Sequence, residues 1–316
     1  PPVSTVDLTI TRPEIYFGEL TGNYVIVKTQ NREFNYPRGT ENVYTHYEGT
    51  GGVSISSLLR RLLFAIQFRD INILLTRSFT PESLILLYRN VVERANKIAP
   101  FLIYDQDPYI VIADDGKLYW ILDAYTISNR FPYSRPYNRI FNYIRNSVKV
   151  VVDAYNGSID FYIVEPDDAL IRVYRNIFPK LFKSIDDMPQ DLRKHIRYPV
   201  DLFRVQSEMY STYHMQNPDV FYNKEDYWNI PNEVYSANEI RMEPYYVIAK
   251  LPGLKKEEFI LITPFTPSNR NNMIAWLAAR NDGEEYGKMI VYKFPKDRLV
   301  YGPMQIEALI DQDSEI

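Results

Sequence analysis

Between Asp123 and Asp153 the chain carries no acidic residue, and this interval holds the densest set of groups that could do chemistry. Arg130, Arg135, Arg139, Arg145 and Lys149 alternate there with Tyr125, Phe131, Tyr133, Tyr137, Phe141 and Tyr143. Guanidinium groups fork two hydrogen bonds onto phosphate or carboxylate, and aromatic faces stack on sugars or hold cations. Arg130, Tyr133, Arg135, Arg139, Tyr143 and Arg145 are therefore the candidate ligand-binding residues. The competing reading is a long ordered loop, stitched down by arginine–aromatic packing and by carboxylates at its margins.

Those carboxylates form a candidate salt-bridge node of Asp123, Asp153 and Asp160. Asn156-Gly157 between two alternating strands is a strong hairpin signal. A two-residue turn there places Asp153 directly opposite Asp160, Val152 opposite Phe161 and Val150 opposite Ile163. The apolar face must be core, and the opposed carboxylates need a cation, most simply an arginine of the preceding basic segment. An acid/base pair for glycoside chemistry is the alternative use of two such carboxylates. Asp105/Asp107 is a second pair of that kind.

Other catalytic signals are missing. There is no cysteine, which excludes disulfides, thiolate metal sites and cysteine nucleophiles. No Gly-x-Ser-x-Gly elbow is present, and Gly49-Thr50-Gly51-Gly52 lacks the Lys-Ser/Thr ending of a phosphate loop. Asp105-Gln106-Asp107 and Asp311-Gln312-Asp313 do not continue as calcium loops. His46, His195 and His214 are too far apart in sequence to suggest zinc. No metal and no cofactor is expected, and the reading leans away from an enzyme. With 316 residues and a net charge of −4, a general nucleic-acid binder is not expected either. Tyrosine is unusually abundant, at 27 against 3 tryptophans.

The elements that must position these groups read as α+β: mainly antiparallel sheets built from hairpins, with clustered helices. Strands are expected at Val6–Ile10, Tyr24–Lys28, Tyr109–Ala113, Leu118–Leu122, Ser147–Ala154, Ser158–Val164, Tyr245–Lys250, Glu258–Thr263 and Lys288–Phe294. Asp115-Gly116 joins the third and fourth through a pair that tolerates positive φ at both positions. Helices are expected at Ser56–Phe68, Asp168–Phe178, Pro189–Ile196 and Val200–Gln216, with breaks at Pro179, Pro199 and Pro218. Thr80-Pro81-Glu82 reads as the start of a core helix that Pro100 ends. Phe203, Tyr210 and His214 form one stripe, on which His214 reads as a packed residue. The chain is expected as one region, 1–316, with lobes 1–165 (α+β) and 166–316 (helical, then β).

No apolar run approaches the roughly 18–20 residues of a membrane span, so this piece is expected to be soluble. Its start at Pro1-Pro2-Val3 suggests a segment cut from something longer. Seven strings resemble one family: RPEIYFGE (Arg12 to Glu19), IAPFLIYDQDPY (Ile98 to Tyr109), WILDAYT (Trp120 to Thr126), NYIRNSVKVVVDAY (Asn142 to Tyr155), IRYPVDLF (Ile196 to Phe203), YHM (Tyr213 to Met215) and YGPMQIEALIDQD (Tyr301 to Asp313). The chain is similar along its whole length to an uncharacterised bacterial membrane-protein family, numbered zero-one-eight-two. That resemblance implies about seven N-terminal transmembrane helices followed by a large extracytoplasmic region. This chain would be the main part of that region, on the outer side of the cell membrane. Its expected partners are those membrane helices and an envelope component or membrane-proximal protein. The resemblance carries no activity and no catalytic residue. The expected function is therefore binding, with a hydrolase of envelope polysaccharide or lipid, or a capture domain for the membrane helices, as alternatives.

Overall fold

Short polar side chains start the helices. Ser57 accepts a hydrogen bond from the Arg60 amide to begin Leu58–Phe68, Asn90 accepts from Glu93 to begin Val91–Ile98, and Asp168 accepts from Leu170 and Ile171 to begin Ala169–Ile177. The computed structural model describes residues 9–235 and 238–312. Residues 6–8 of the expected strand Val6–Ile10, and Asp313 of the C-terminal Asp-x-Asp, lie outside them.

The architecture is α+β. The chain divides into two compact units: Pro1–Pro132 with Tyr143–His195, and Tyr133–Asn142 with Ile196–Ile316. The first unit is built on a sheet ordered Phe182–Ser184, Ile159–Ile163, Tyr143–Asp153, Leu118–Ser128, Ile103–Tyr104, with Tyr109–Ile112 also paired to Leu118–Ser128. All pairs are antiparallel except Phe182–Ser184 against Ile159–Ile163, which the crossover helix Ala169–Ile177 connects. One face of the two 11-residue strands packs Trp120, Leu122, Ala124, Val148, Val150 and Val152 into the main core. A smaller sheet places Leu84–Leu86 between Val25–Val27 and Val53–Ser54. The second unit has a sheet ordered Trp228–Asn229, Glu258–Pro267, Ala275–Arg280, Met289–Lys293, with Tyr245–Ala249 also on Glu258–Pro267. The helix Val200–Tyr213 buries Leu202, Phe203, Ser207 and Ser211 in that unit.

Three local expectations give way. No helix starts at Thr80. Thr80 and Ser83 instead close a hydrogen-bonded turn, and Leu84–Leu86 becomes the central strand of the small sheet. A helix cap stabilises by about 1 kcal/mol. Ile85 and Leu86 are fully buried between two partner strands, at roughly 1.5–3 kcal/mol each, so pairing wins. The Asp115-Gly116 connection is a three-residue loop closed by the Ala113–Lys117 pair, in which only Gly116 has positive φ. The break at Pro218 is present, but the helix before it stops at Tyr213 rather than Gln216, and Pro218 opens a short second helix, Pro218–Asn223, that Asn217 caps.

The Asn156-Gly157 connection also differs. Its loop is Ala154-Tyr155-Asn156-Gly157, and Val152 faces Ile159, Val151 faces Asp160 and Val150 faces Phe161. The pairing is shifted by two residues, so the same side chains still reach the core. The longer loop wins because tertiary partners hold it. Ala154 O accepts from the Tyr16 and Phe17 amides at 2.9 Å, and Arg94 Nε donates to Gly157 O at 2.6 Å. Gly157 has φ +70°, and a Cβ there would lie 2.5 Å from the Phe17 ring. Gly157→Ala is expected to lower the unfolding free energy by about 2–3 kcal/mol in urea titration, combining backbone strain with the clash. A loss below about 0.5 kcal/mol would contradict this packing.

Candidate functional site

The basic aromatic interval is the long connection of the Leu118–Ser128/Tyr143–Asp153 hairpin, whose pairing runs out to Ser128 opposite Tyr143. Its middle, Tyr133–Asn142, belongs to the second unit and is ordered by its own bonds. Ser134 Oγ donates to Asn142 O at 2.8 Å and Tyr137 N to Phe141 O at 2.7 Å. Asn138 and Arg139 both take positive φ, which tightens the turn, and the Tyr137 and Phe141 rings stack at 5.4 Å.

The six candidate residues part company. Tyr143 stays in the first unit, where Phe131 stacks on it at 5.4 Å and the Arg145 guanidinium lies 4.9 Å above it. Its hydroxyl donates to Asp168; burial and that carboxylate push its pKa up to about 12. Arg130, Tyr133 and Arg139 are exposed. Arg135 lines a cavity of about 310 Å³ within the second unit.

That cavity brings Arg135 and Tyr137 together with Glu208 of the helix Val200–Tyr213, Arg241, Tyr227 and Trp228. Arg241 donates to Glu208 Oε1 at 2.6 Å. Tyr137 also hydrogen-bonds Glu208, and burial followed by that carboxylate pushes its phenol up to about 12, so it remains a donor throughout the physiological range. Trp228 is held rigid: His214 stacks on it at 3.7 Å and Phe265 lies at 5.5 Å. His214 is thus a packed residue, as its stripe on the helix suggests. Arg135 has no ion pair among the described residues, so two arginines against one carboxylate leave the cavity one positive charge in excess. An oxyanion with hydroxyl groups beside it suits this mixture of cation, phenol and indole. Glu208, Arg241, Tyr227 and Trp228 carry no mark in the sequence. They come from a helix and two separate strand regions, and only folding brings them to the loop.

The expected node of aspartates dissolves. Asp123 pairs with Lys149 directly across the two long strands, with both side chains almost completely buried. Asp153 pairs with no arginine among the described residues: its Oδ1 accepts from the Tyr155 and Asn156 amides at 2.8 Å, holding the loop. Asp160 pairs with Lys183 of the neighbouring strand at 2.7 Å, half-exposed. The two carboxylates share a face but are not opposed, because of the two-residue shift in register. Asp105 accepts the Tyr125 hydroxyl and the Asp107 amide. These carboxylates each make structural bonds, and Asp153 also lines a cavity of about 260 Å³ with Arg12, Glu48 and Lys117. Among the described residues no group of three or more His, Cys, Asp or Glu side chains could hold a metal ion. In the glycine segment, the Thr50 and Gly51 amides donate to Asn156 Oδ1 and Tyr47 Oη, so they serve the fold and not an anion.

Comparison with known proteins matches residues 1–316 to the family described as "Uncharacterised protein family (UPF0182)". The chain belongs to UPF0182. Among UPF0182 proteins, it is 59% identical over 316 residues to one from Pelotomaculum thermopropionicum, covering 100% of this chain and 34% of that protein. It is 57% identical over 317 residues to one from Desulforamulus reducens, again covering 100% and 34%. With one from Methanospirillum hungatei it shares 55% over 315 residues, covering 98% and 35%. The chain therefore spans about a third of the length of these UPF0182 relatives. No solved structure matches it. Among the described residues no helix is long and apolar enough to cross a membrane.

Proposed function

We propose that this chain is the extracytoplasmic region of a multi-pass membrane protein, and that its second unit binds an anionic group on an envelope component. The ligand chemistry is a sugar-like body bearing one phosphate or carboxylate. The observation that supports this reading is the cavity in which Arg135, unpaired among the described residues, stands beside Tyr137, Trp228 and the Arg241–Glu208 pair. A hydrolase is less favoured, since Asp153, Asp160 and Asp105 are each held in structural bonds.

The test is calorimetric titration with glucose 6-phosphate, glucuronate and glucose. The two anionic sugars are expected to bind and neutral glucose not to. Arg135→Ala is expected to weaken binding by about tenfold or more, the loss of one charge-assisted hydrogen bond. Arg130→Ala, outside the cavity, leaves it unchanged. Equal binding of charged and neutral sugars, or an unaltered Arg135→Ala, would defeat the proposal. Placement is tested separately, by protease access to this region from outside intact cells.

A further inference from the structure

The helix Leu58–Phe68 turns its apolar side away from the protein. At 3.6 residues per turn, Leu58, Leu59, Leu62, Leu63 and Ile66 share one arc of about 140°. They are 72, 65, 43, 58 and 67% exposed. The inward side carries buried Ala65 and, unusually, a cation: Arg61 Nε donates to Ile55 O at 2.8 Å and its guanidinium sits 4.8 Å over Phe79. The orientation is thus the reverse of an ordinary amphipathic surface helix, which buries its apolar stripe. Ile71 and Leu75, 59 and 69% exposed, extend the apolar run beyond the helix. Beside it opens a cavity of about 530 Å³, lined by Leu63, Phe64, Ile66, Phe68 and Leu87, with Gln67 and Glu93 among its polar members. Leu63 and Ile66 belong to both, so the exposed stripe and the groove are continuous.

Charge identifies what covers this face. From Leu58 to Arg77 the only acid is Asp70, and its carboxylate accepts the Tyr24 hydroxyl at 2.5 Å. Arg60, Arg69 and Arg77 are exposed around the stripe, on a chain whose net charge is −4. The stripe itself is purely aliphatic and offers no polar anchor within its arc. A protein partner's interface core is ordinarily marked by aromatic residues, Met and Arg; a leucine stripe rimmed with arginine is instead the pattern of a helix lying in a bilayer surface.

We propose that Leu58–Phe68 lies in the plane of an anionic phospholipid surface. Its leucines sit among the acyl chains, Arg60, Arg69 and Arg77 meet the lipid phosphates, and the adjoining groove receives the end of an acyl chain. This goes beyond the sugar-site proposal: it concerns the other unit and a different ligand, and it stands whether or not the cavity around Arg135 binds anything.

The test uses the whole protein with vesicles of phosphatidylglycerol and phosphatidylcholine, or of phosphatidylcholine alone. An environment-sensitive fluorophore is placed on a cysteine introduced at Leu59, Leu63, Ile66 or, on the separate helix Ala169–Ile177, the exposed Asn176, and quenched by a spin label on the lipid chains. These side chains point outward, so the substitutions spare the core. Positions 59, 63 and 66 are expected to be quenched several-fold more than 176. The difference should fall several-fold without the anionic lipid, or when Arg60, Arg69 and Arg77 are changed to Gln. No quenching by lipid at these positions overturns the proposal. So does an apolar fluorophore signal that lipid quenchers do not reach, since the face is then covered by protein: another part of the same chain or a second copy. Carbonate extraction reads separately whether the whole protein spans the membrane.

Discussion

Lys149→Met is expected to lower the unfolding free energy by about 3–5 kcal/mol, the cost of leaving the Asp123 carboxylate buried without its cation. Lys149 and Asp123 face each other across Tyr143–Asp153 and Leu118–Ser128, and their side chains are 1 and 4% exposed. Tyr162 flanks Lys149 on the next strand and is itself buried. Water therefore cannot replace the lost partner, and screening by salt is weak. The double variant Lys149→Met/Asp123→Leu removes both charges and restores apolar volume, so it is expected to recover most of the loss or exceed wild type. Denaturant titration of the two single variants and the double variant measures the coupling directly. A single variant costing under about 1 kcal/mol would show that the pair is not desolvated as the geometry requires.

Asp168→Ala is expected to cost about 3 kcal/mol at neutral pH, summing a lost helix cap with hydroxyls left without an acceptor. Asp168 begins Ala169–Ile177 through Leu170 and Ile171, and it also accepts from Thr126 at 2.7 Å, Ser147 at 2.9 Å and the Tyr143 hydroxyl. It thereby ties the crossover helix to the outer end of both long strands. Burial works to raise its pKa, but the bonds from Tyr143, Thr126, Ile171 and Ser147 outweigh it and hold the carboxyl below its ordinary value. A carboxyl depressed in the folded state contributes stability above its unfolded pKa of about 4, and that contribution is lost as pH falls through the folded value. Unfolding midpoints measured between about pH 2 and 7 should therefore show a shallower acid slope for the variant than for wild type. Parallel slopes would remove Asp168 from the account.

Much of the fold is legible locally. Ser57, Asn217 and Asp168 act within one turn of themselves, and strand composition marks Leu118–Leu122 and Ser147–Ala154, though not the extension of these two strands out to Ser128 and back to Tyr143. The same local reading misplaces Thr80-Pro81-Glu82, because a cap signal competes there with burial of Ile85 and Leu86 between strands distant in sequence. For the site, the interval 124–152 is conspicuous by charge and aromatic content, and Arg135 with Tyr137 does line a cavity. Their companions Glu208 and Arg241 lie 73 and 106 residues from Arg135, and no spacing rule reaches that far.

The sequence by itself determined the types of most elements, the apolar face of the Asn156-Gly157 hairpin and the family, since each rests on near neighbours or on whole strings. Tertiary structure alone decided the hairpin's register, the pairing of Lys149 with Asp123, the departure of Tyr133–Asn142 into the second unit and the outward turn of Leu58–Phe68. The physical reason is common to all four. Periodicity and capping energies are properties of one segment, but which face is covered and which charge is paired depend on groups contributed by another. Tyr16, Phe17 and Arg94 hold the longer Asn-Gly loop, and Arg61 takes the inward side of a helix whose leucines remain outside.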